Sequence, residues 1–209
     1  MNTIIYYTAN MEDPKFEKKI IDNLKKQAGN NPIISVSRKP MDLGKNICVG
    51  ETPVCYFNSF RQLLIGLKEA KTEFCIAAES DCLYPPEYFT FTPPEKDKAY
   101  RYDNVYVLFS GHKGFWKKAY TEAGQMCGRE YWISQIERVV GHNYTWDDVS
   151  NARYPLIFDT EDKYSWTGNP LVYFKTRRGI GYKTGFLPGS VTEIPFWGSY
   201  DSVYNKYIK

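Results

Sequence analysis

Short apolar runs and amphipathic stretches alternate over the first ninety residues of the chain. Runs of apolar and β-branched residues predict three buried strands, at Thr3–Thr8, Ile33–Ser37 and residues 74–78. Apolar residues recur at helical spacing after Asp13-Pro14 and again after Asn58-Ser59. Asp13, and either Asn58 or Ser59, are typical helix caps. This β-α-β order predicts an α/β fold with a parallel sheet and right-handed crossovers.

The pattern is less regular outside these elements. Residues 38–57 contain Pro40, Gly44, Gly50 and Pro53 without clear periodicity, which predicts a long loop. The further predicted elements are a hairpin of residues 100–102 with 105–109, a helix beginning near Phe115, a helix over residues 128–140, and strands near residues 156–158 and 171–174. A tail rich in Gly, Pro and aromatic residues follows.

The composition sets broad limits on function. The chain has 209 residues, of which 43% are hydrophobic and 24% charged, a balance that suits one compact domain and argues against wholesale disorder. A net charge of +3 gives no indication of a nucleic-acid binder. Five scattered Cys without a Cys-x-x-Cys pair, and only two His, argue against a zinc site. Without a leader or a membrane-length apolar run, we expect a cytosolic protein, or one in a host cytoplasm if the chain is viral.

Two carboxylates, Glu79 and Asp81, stand one residue apart directly after the third predicted strand. Ligands bind at the carboxyl ends of strands in an open α/β sheet, so a site is expected here. Such carboxylates can hold a divalent cation that bridges the phosphates of a nucleotide, or they can act as acid and base. The triplet Glu79-Ser80-Asp81 leaves open a third interpretation, a polar strand end that hydrogen-bonds a turn.

The sequence around this triplet resembles the core of GT-A glycosyltransferases of the family 2 type. The matching segments are residues 58–70, 72–81 and 83–89. They carry a helix ending in a small residue, a short hydrophobic strand, a D-x-D-type metal motif and a Tyr-Pro-Pro continuation. The resemblance is good over residues 3–90, fainter over residues 105–140 and poor beyond.

The resemblance implies an architecture for the whole chain. Residues 1–209 would form a single GT-A-like (Rossmann-like) domain with a mostly parallel central sheet, flanking helices and a small antiparallel acceptor-side part. Within it, residues 1–90 would be the nucleotide-binding half and residues 91–209 the acceptor-side half.

The resemblance also implies roles for residues near the triplet. Asp81 would be the principal ligand of a divalent metal, Mn²⁺ or Mg²⁺. Glu79 would face the metal or the ribose, and its longer arm is a departure from the motif. The other residues implied to contact the nucleotide-sugar are Tyr7, Thr8, Arg38, Lys45 and Arg61.

Roles on the acceptor side follow from the same resemblance. His112 would face the sugar or the acceptor, and Glu130 has about the spacing of the base that takes the acceptor's proton in inverting members. Rival acids are Asp147, Asp148, Asp159, Glu161 and Asp162. Many GT-A enzymes supply a late His to the metal. Here the cations Lys175, Arg177 and Arg178 stand near that place and could neutralise the leaving diphosphate.

Three functions are compatible with these observations. The leading hypothesis is a glycosyltransferase that moves a sugar from a nucleotide-sugar, expected to be a UDP-sugar, to a hydroxyl of a glycan, small molecule, protein or modified DNA base. A sugar-phosphate nucleotidyltransferase is disfavoured, because residues 8–11 lack the Gly-rich loop usual after the first strand. The third is a non-enzymatic module that binds carbohydrate or nucleic acid on an aromatic tail. The tail residues are Phe196, Trp197, Tyr200, Tyr204 and Tyr207. We expect no membrane partner, and the sequence leaves the oligomeric state open.

Overall fold

The computed structural model describes residues 1–109, 112–119, 121–141, 146, 156–158, 164–176, 178 and 190–209. The helices of these residues are α1 (Pro14–Gln27), α2 (Tyr56–Glu69), α3 (Pro86–Thr90), α4 (Arg129–Val140) and α5 (Tyr200–Tyr207). The strands are β1 (Thr3–Thr8), β2 (Ile33–Ser37), β3 (Lys45–Cys48), β4 (Phe74–Glu79), β5 (Cys82–Leu83), β6 (Ala99–Tyr102), β7 (Val105–Phe109), β8 (Phe115–Lys118), β9 (Gln125–Gly128), β10 (Tyr164–Trp166), β11 (Leu171–Lys175), β12 (Ser190–Val191), β13 (Glu193–Ile194) and β14 (Gly198–Ser199). A 3₁₀ turn spans Glu122–Gly124.

The large sheet has the strand order β10-β6-β9-β4-β1-β2-β3. The pairs β10–β6, β4–β1, β1–β2 and β2–β3 are parallel, and β9 pairs antiparallel with both of its neighbours. The prediction of an α/β fold with a mostly parallel central sheet and flanking helices is therefore confirmed. The predicted division of the chain near residue 90 stays a prediction.

Helix α1 begins where the sequence predicts it, whereas α2 begins at Tyr56, so the predicted caps Asn58 and Ser59 lie inside its first turn. Asp13 caps α1, since its Oδ1 accepts hydrogen bonds from two backbone N–H groups of the first turn at 2.9 and 3.4 Å. Helix α2 approaches β1 closely because Gly66 has no side chain: a Cβ there would lie 2.4 Å from Ile5 Cγ2. This packing holds the amino end of α2, at Tyr56, beside the carboxyl edge of the large sheet.

A second sheet has the order β12-β8-β7-β11-β5, in which β7 and β11 are parallel and the other pairs antiparallel. The predicted hairpin of β6 with β7 is wrong, because β6 belongs to the large sheet while the apolar β7 is buried between β8 and β11. The predicted helix near Phe115 is also wrong. Its residues form β8, whose Phe115 is buried against the apolar side of α5.

Two further predictions, a loop and a strand, also need correction. Residues 45–48 of the predicted long loop form β3, which extends the parallel sheet at its edge. The described residues 156–158 are not a strand. Ile157 and Phe158 are buried against α4, where the Phe158 ring stacks on Tyr131 with centroids 6.0 Å apart. Among the described residues, no helix is long and apolar enough to cross a bilayer.

Candidate active site

The carboxyl ends of β1, β2 and β4 meet at one edge of the large sheet, as parallel strands require. The register places Tyr7 of β1 opposite Glu79 of β4. After β4 the chain turns at Ser80 and Asp81 into β5, which pairs with β11 of the second sheet. The acidic triplet therefore lies where the two sheets adjoin.

A cavity of about 250 Å³ opens at this edge. Its walls from the first half of the chain include Tyr7, Thr8, Glu12, Arg38, Tyr56, Asn58, Gln62, Glu79 and Asp81. Its walls from the second half are Lys118, Thr121, Glu122, Tyr173 and Lys175. The structure thus gathers part of the predicted donor and metal residues in one place. The predicted residues outside these walls are Lys45, Arg61, His112, Glu130 and Arg178.

Glu79 is half-buried and held by two tyrosines. The Tyr7 hydroxyl donates a hydrogen bond of 2.5 Å to its carboxylate, and its backbone N–H donates to Tyr84 Oη at 2.9 Å. Burial raises the pKa of the Glu79 carboxyl, while the Tyr7 hydrogen bond and the charge of Lys175 act in the opposite direction. The carboxylate is therefore oriented in the cavity but incompletely neutralised.

Asp81 lies next to Glu79 and to a lysine of the second sheet. Burial, and after it the charge of Glu79, raise the pKa of the Asp81 carboxyl well above its usual range. The backbone N–H of Phe174 donates to the Asp81 carbonyl at 2.8 Å, which brings the next residue, Lys175, towards the acids. The energetic cost of two half-buried like charges favours the approach of a cation.

Among the described residues, Lys175 is the cation whose charge acts most strongly on the carboxyls of Glu79 and Asp81. Its Nζ donates to Tyr173 Oη at 2.7 Å and lies 4.3 Å from that ring's centroid. Burial lowers the pKa of Lys175, and the charge of Asp81 opposes this shift. Lys175 therefore carries a poorly solvated positive charge near the acids in the wall of the cavity.

Arg38 follows β2 and lines the same cavity. Its Nη1 donates to the carbonyl of Ala9 at 3.2 Å, which fixes the guanidinium over the segment after β1. Its Nε is buried and, among the described residues, has no hydrogen-bond partner. Arg38 as a whole is half-buried, so its guanidinium contributes positive charge to the cavity wall.

Thr8 has a mainly local role in the structure. Its hydroxyl donates to Glu17 Oε1 at 2.9 Å, and its carbonyl accepts from Gln62 Nε2 at 2.9 Å. The residue lines the cavity but is only 3% exposed. These bonds hold the end of β1 against α1 and α2.

Two acids that the sequence did not single out also line the cavity. Glu12 is 7% exposed and accepts a 2.7 Å hydrogen bond from the Thr176 hydroxyl. Burial raises the pKa of the Glu12 carboxyl, and the Thr176 hydrogen bond partly offsets this. Glu122, on the 3₁₀ turn before β9, is half-buried. Glu12 lies in the loop that follows β1 at the carboxyl edge. The rule that ligands bind at the carboxyl ends of strands could therefore have indicated it from the sequence. Nothing local in the sequence indicates Glu122.

Lys45 and Arg61 do not line the cavity. Lys45 is exposed at the start of β3, and its Nζ lies 2.6 Å from a carboxylate oxygen of Glu69, at the far end of α2. Arg61 is buried and donates to Asn58 Oδ1 at 3.0 Å and to the carbonyl of Val140 at 3.1 Å. These hydrogen bonds join α2 to the end of α4, and they explain why an arginine is buried at this position.

Glu130 lies at the opposite edge of the large sheet. Strand β9 runs antiparallel to β4, so Gly128, just before α4, pairs with Phe74 at the amino end of β4. Five residues of strand separate Phe74 from Glu79, which is roughly 16 Å. Glu130 is exposed and forms an ion pair with Arg129. This geometry argues against the predicted role of Glu130 as the base.

His112 and Arg178 are both exposed. The His112 ring lies 6.1 Å from the ring centroids of Phe109 and of Trp116. An Arg178 guanidinium nitrogen lies 3.7 Å from a carboxylate oxygen of Asp13. Their predicted roles stay predictions. The other predicted residues Arg177, Asp147, Asp148, Asp159, Glu161 and Asp162 lie outside the described residues.

Binding of a divalent metal by Glu79 and Asp81 stays a prediction. Carboxylate oxygens are the ligands that Mg²⁺ and similar cations prefer, and Glu79 and Asp81 present them in a cavity where their negative charge is poorly solvated. No group of three or more His, Cys, Asp or Glu placed to hold a metal occurs within the described part of the chain. Water and substrate phosphates would have to complete the coordination, as is usual for Mg²⁺.

No protein-family model and no curated protein matches this sequence. Similar solved structures include the inositol-1-phosphate CTP transferase from T. maritima, at 13% identity, covering 83% of this chain and 89% of that chain with a TM-score of 0.48. S. aureus TarS 1-349 in complex with UDP-GlcNAc has 10% identity, with 92% and 62% covered and a TM-score of 0.47. A glycosyltransferase involved in glycosylation of the major capsid of PBCV-1 has 10% identity, with 80% and 81% covered and a TM-score of 0.45.

Glycosyltransferases are thus among the similar structures, as the resemblance in the sequence predicts. The chain spans about half, 49%, of the length of the bifunctional IspDF from Campylobacter jejuni, which is also similar. At identities of 10–14% and TM-scores of 0.35–0.48, these likenesses carry no argument about activity. Function has to be argued from the residues of the site.

Proposed function

We propose that this chain is a glycosyltransferase that moves a sugar from a UDP-sugar to a hydroxyl acceptor. The observation that carries the proposal is the meeting of Glu79 and Asp81 with Lys175 in one cavity at the carboxyl edge of a parallel sheet. A nucleotide-sugar places a diphosphate directly beside the carbon that reacts. Its site therefore needs positive charge at the diphosphate and a base at the acceptor, and this cavity offers residues for both.

The nucleotide would bind at the ends of β1 and β2. Tyr7 and Arg38 line this part, and the half-buried guanidinium of Arg38 would donate hydrogen bonds to oxygens of the base or ribose. Tyr56, at the start of α2, supplies a further ring to the wall. In this arrangement the diphosphate points towards Asp81 and Lys175.

Asp81, with Glu79, would hold a divalent cation, Mn²⁺ or Mg²⁺, that neutralises charge on the diphosphate. Lys175 supplies a positive charge to the same place from the protein itself. As the bond between the sugar and the diphosphate breaks, negative charge grows on the leaving oxygen, and a poorly solvated ammonium group stabilises it strongly. Lys175 is therefore the residue we assign to the leaving group.

Glu122 is our candidate for the base in place of Glu130. It lines the cavity and is half-buried, so an acceptor entering from solvent can reach it. Glu12 is more buried, and its carboxylate already accepts from Thr176. Glu122 would take the proton of the acceptor hydroxyl while the hydroxyl oxygen forms the new bond to the sugar and the diphosphate leaves.

Thermal melting of the whole chain with nucleotides tests the donor class. We expect UDP to raise the melting temperature, and Mn²⁺ with UDP to raise it further, because a ligand that binds only the folded state stabilises it. In Asp81→Asn the increment due to Mn²⁺ should disappear while the effect of UDP alone remains. Release of UDP from a panel of UDP-sugars, with and without glycan, small-molecule and modified-DNA acceptors, then identifies the reaction.

Two outcomes would replace the proposal. Stabilisation that requires a nucleoside triphosphate together with a sugar phosphate would indicate a nucleotidyltransferase. Stabilisation by glycan or DNA alone, with no effect of any nucleotide, would indicate a binding module.

A further inference from the structure

The candidate active site has a second lysine in its wall, Lys118, to which the proposed mechanism gives no role. Lys118 is the last residue of β8 and is half-buried. Shortly after it in the chain comes Glu122, which is also half-buried and lines the same cavity. A molecule bound in the cavity can therefore reach both side chains.

The register of the second sheet directs Lys118 and Lys175 to the same face. Tyr173 of β11 lies opposite Val107 of β7, and Val107 lies opposite Trp116 of β8. Lys175 follows Tyr173 by two residues, and Lys118 follows Trp116 by two. Because side chains two residues apart along a strand point to the same face, both lysines lie on the face that carries Tyr173.

Both ammonium groups converge on the ring of Tyr173. Lys175 Nζ lies 4.3 Å from the ring centroid, and Lys118 Nζ lies 5.4 Å from it. Tyr173 is buried among core residues, so packing fixes the position of its ring. Its hydroxyl also accepts a hydrogen bond from Lys175 Nζ at 2.7 Å. The ring therefore holds two cations near each other in one wall of the cavity.

Neither lysine is neutralised by direct contact with a carboxylate. Among the ion pairs of the described residues, none includes Lys118 or Lys175. Burial, and to a smaller extent the charge of Lys118, lower the pKa of Lys175. Two poorly solvated like charges raise the energy of the empty cavity, and an anion bound to both would lower it.

We propose that Lys118 is a further catalytic residue, which binds the leaving diphosphate together with Lys175. This inference rests on the proposed function, since it takes the diphosphate from the UDP-sugar donor. Two ammonium groups match a diphosphate, which carries charge on two phosphoryl groups, better than an anion with a single charge.

The two lysines would act on charge without exchanging a proton. As the bond from the sugar's anomeric carbon to the diphosphate oxygen breaks, its electron pair stays on that oxygen. The acceptor oxygen forms the new bond to the same carbon, and its proton goes to Glu122. Lys118 and Lys175 stabilise the charge that grows on the leaving diphosphate. Because the protein supplies this positive charge, the diphosphate should bind even without a metal ion.

Calorimetric titration of the whole chain in a metal chelator tests the binding. The probes are inorganic pyrophosphate and inorganic phosphate, and we expect pyrophosphate to bind at least about tenfold more tightly. Lys118→Gln should weaken pyrophosphate binding about tenfold or more, as expected when a charged hydrogen bond is lost. Lys117→Gln is the matched control, because this exposed neighbour lies on the Tyr106 ring, donates to Asn104 and does not line the cavity. The control should bind pyrophosphate like the parent.

Steady-state kinetics of UDP release test the catalytic role. Lys118→Gln should lower kcat about tenfold with little change in the KM of the acceptor, because the lost interaction strengthens as the diphosphate leaves. Lys118→Arg keeps the positive charge, so it should recover part of this loss. Lys117→Gln should leave both parameters unchanged.

Three results would overturn the proposal. Pyrophosphate that fails to bind without metal would mean that the lysines form no diphosphate site. An unchanged pyrophosphate affinity in Lys118→Gln, with a lower melting temperature, would mean that Lys118 only neutralises the cavity acids. A raised acceptor KM at unchanged kcat would assign Lys118 to an anionic acceptor. If no UDP-sugar is turned over, the proposed function fails, and the pyrophosphate titration still decides whether the two lysines bind a diphosphate.

Discussion

Acidic side chains lie at both the carboxyl edge and the amino edge of the large sheet, but they differ between the two edges in solvation and in pairing. At the carboxyl edge, Glu79 and Asp81 share a cavity, and burial raises the pKa of both carboxyls. Towards the amino edge, Glu69 pairs with Lys45 in solvent, and the lysine lowers the pKa of the Glu69 carboxyl. Glu130 at that edge is exposed and paired with Arg129.

The difference shows why the type of a residue does not define a site. A solvated, paired carboxylate gains little from binding a further cation, since water and its partner already neutralise it. A pair of half-buried carboxylates lacks this solvation, so a cation bound there relieves a real energetic cost. We therefore expect the carboxyl edge to bind a cation. Glu69 and Glu130 at the amino edge are ordinary surface carboxylates by comparison.

The largest expected effect contrasts Asp81 with Glu130. Asp81→Asn keeps the shape of the side chain and removes its charge, and we expect kcat/KM for sugar transfer to fall about 100-fold or more. Glu130→Gln alters a solvated residue roughly 16 Å from the acids along the sheet, and kcat/KM should stay within about twofold. Steady-state UDP release with the best donor measures both. Equal losses in the two variants would place chemistry at the amino edge and contradict the comparison.

An intermediate effect is expected for the cation of the second sheet. Lys175→Gln removes a poorly solvated charge near the leaving group, and we expect kcat to fall about 10- to 100-fold, the range of a charged hydrogen bond. Arg178→Ala should weaken donor turnover less, because its side chain is 57% exposed and lies near Asp13. Lys113→Gln, at an exposed lysine that does not line the cavity, serves as the control. A larger loss in Arg178→Ala than in Lys175→Gln would reverse our assignment of the leaving-group cation.

The smallest effect is a pair of opposite changes in stability with pH. Burial raises the pKa of the Glu12 carboxyl above its unfolded value of about 4.3, so the folded state binds the proton more tightly and stability falls as pH rises through this window. Glu12→Gln keeps an acceptor for Thr176 without the charge. The variant should therefore melt above the parent at neutral pH, and the difference should vanish near pH 4.

Glu69→Gln should show the opposite sign. Its pKa is lowered by Lys45, so its contribution to stability is present above the unfolded pKa and is lost as pH falls. The variant should melt slightly below the parent at neutral pH and equal it in acid. Circular dichroism melts between about pH 4 and 8 measure both variants. The same sign in both would contradict the contrast between the two edges.

Local patterns predicted the first half of the fold well. The strands β1, β2 and β4 are short continuous apolar runs, and α1 and α2 have a clear apolar stripe. Whether each element is a helix or a strand can therefore be predicted from its own residues. The second half was predicted less well. The sequence around Asp103-Asn104 is typical of a hairpin turn, yet β6 and β7 separate into different sheets because each finds a more extensive partner elsewhere.

The candidate site divides in the same way. The strand-end argument found Glu79 and Asp81, and the resemblance to GT-A glycosyltransferases indicated Tyr7, Thr8 and Arg38; all five residues line the cavity. The spacing along the chain suggested Glu130, but spacing cannot show that β9 runs antiparallel to β4 and carries the start of α4 to the far edge. The same reversal brings Glu122 to the cavity.

The sequence by itself determined the α/β class, the order of the first strands and helices, and the position of the acidic triplet at a strand's carboxyl end. These are consequences of local periodicity and of the direction in which a parallel sheet must run. Only the tertiary structure decided which charges face the triplet. The pairing of β5 with β11 brings Lys175 to Asp81 across about ninety residues of chain, and burial then changes the pKa of both groups. Burial and long-range pairing belong to the assembled fold, so no local pattern could have shown them.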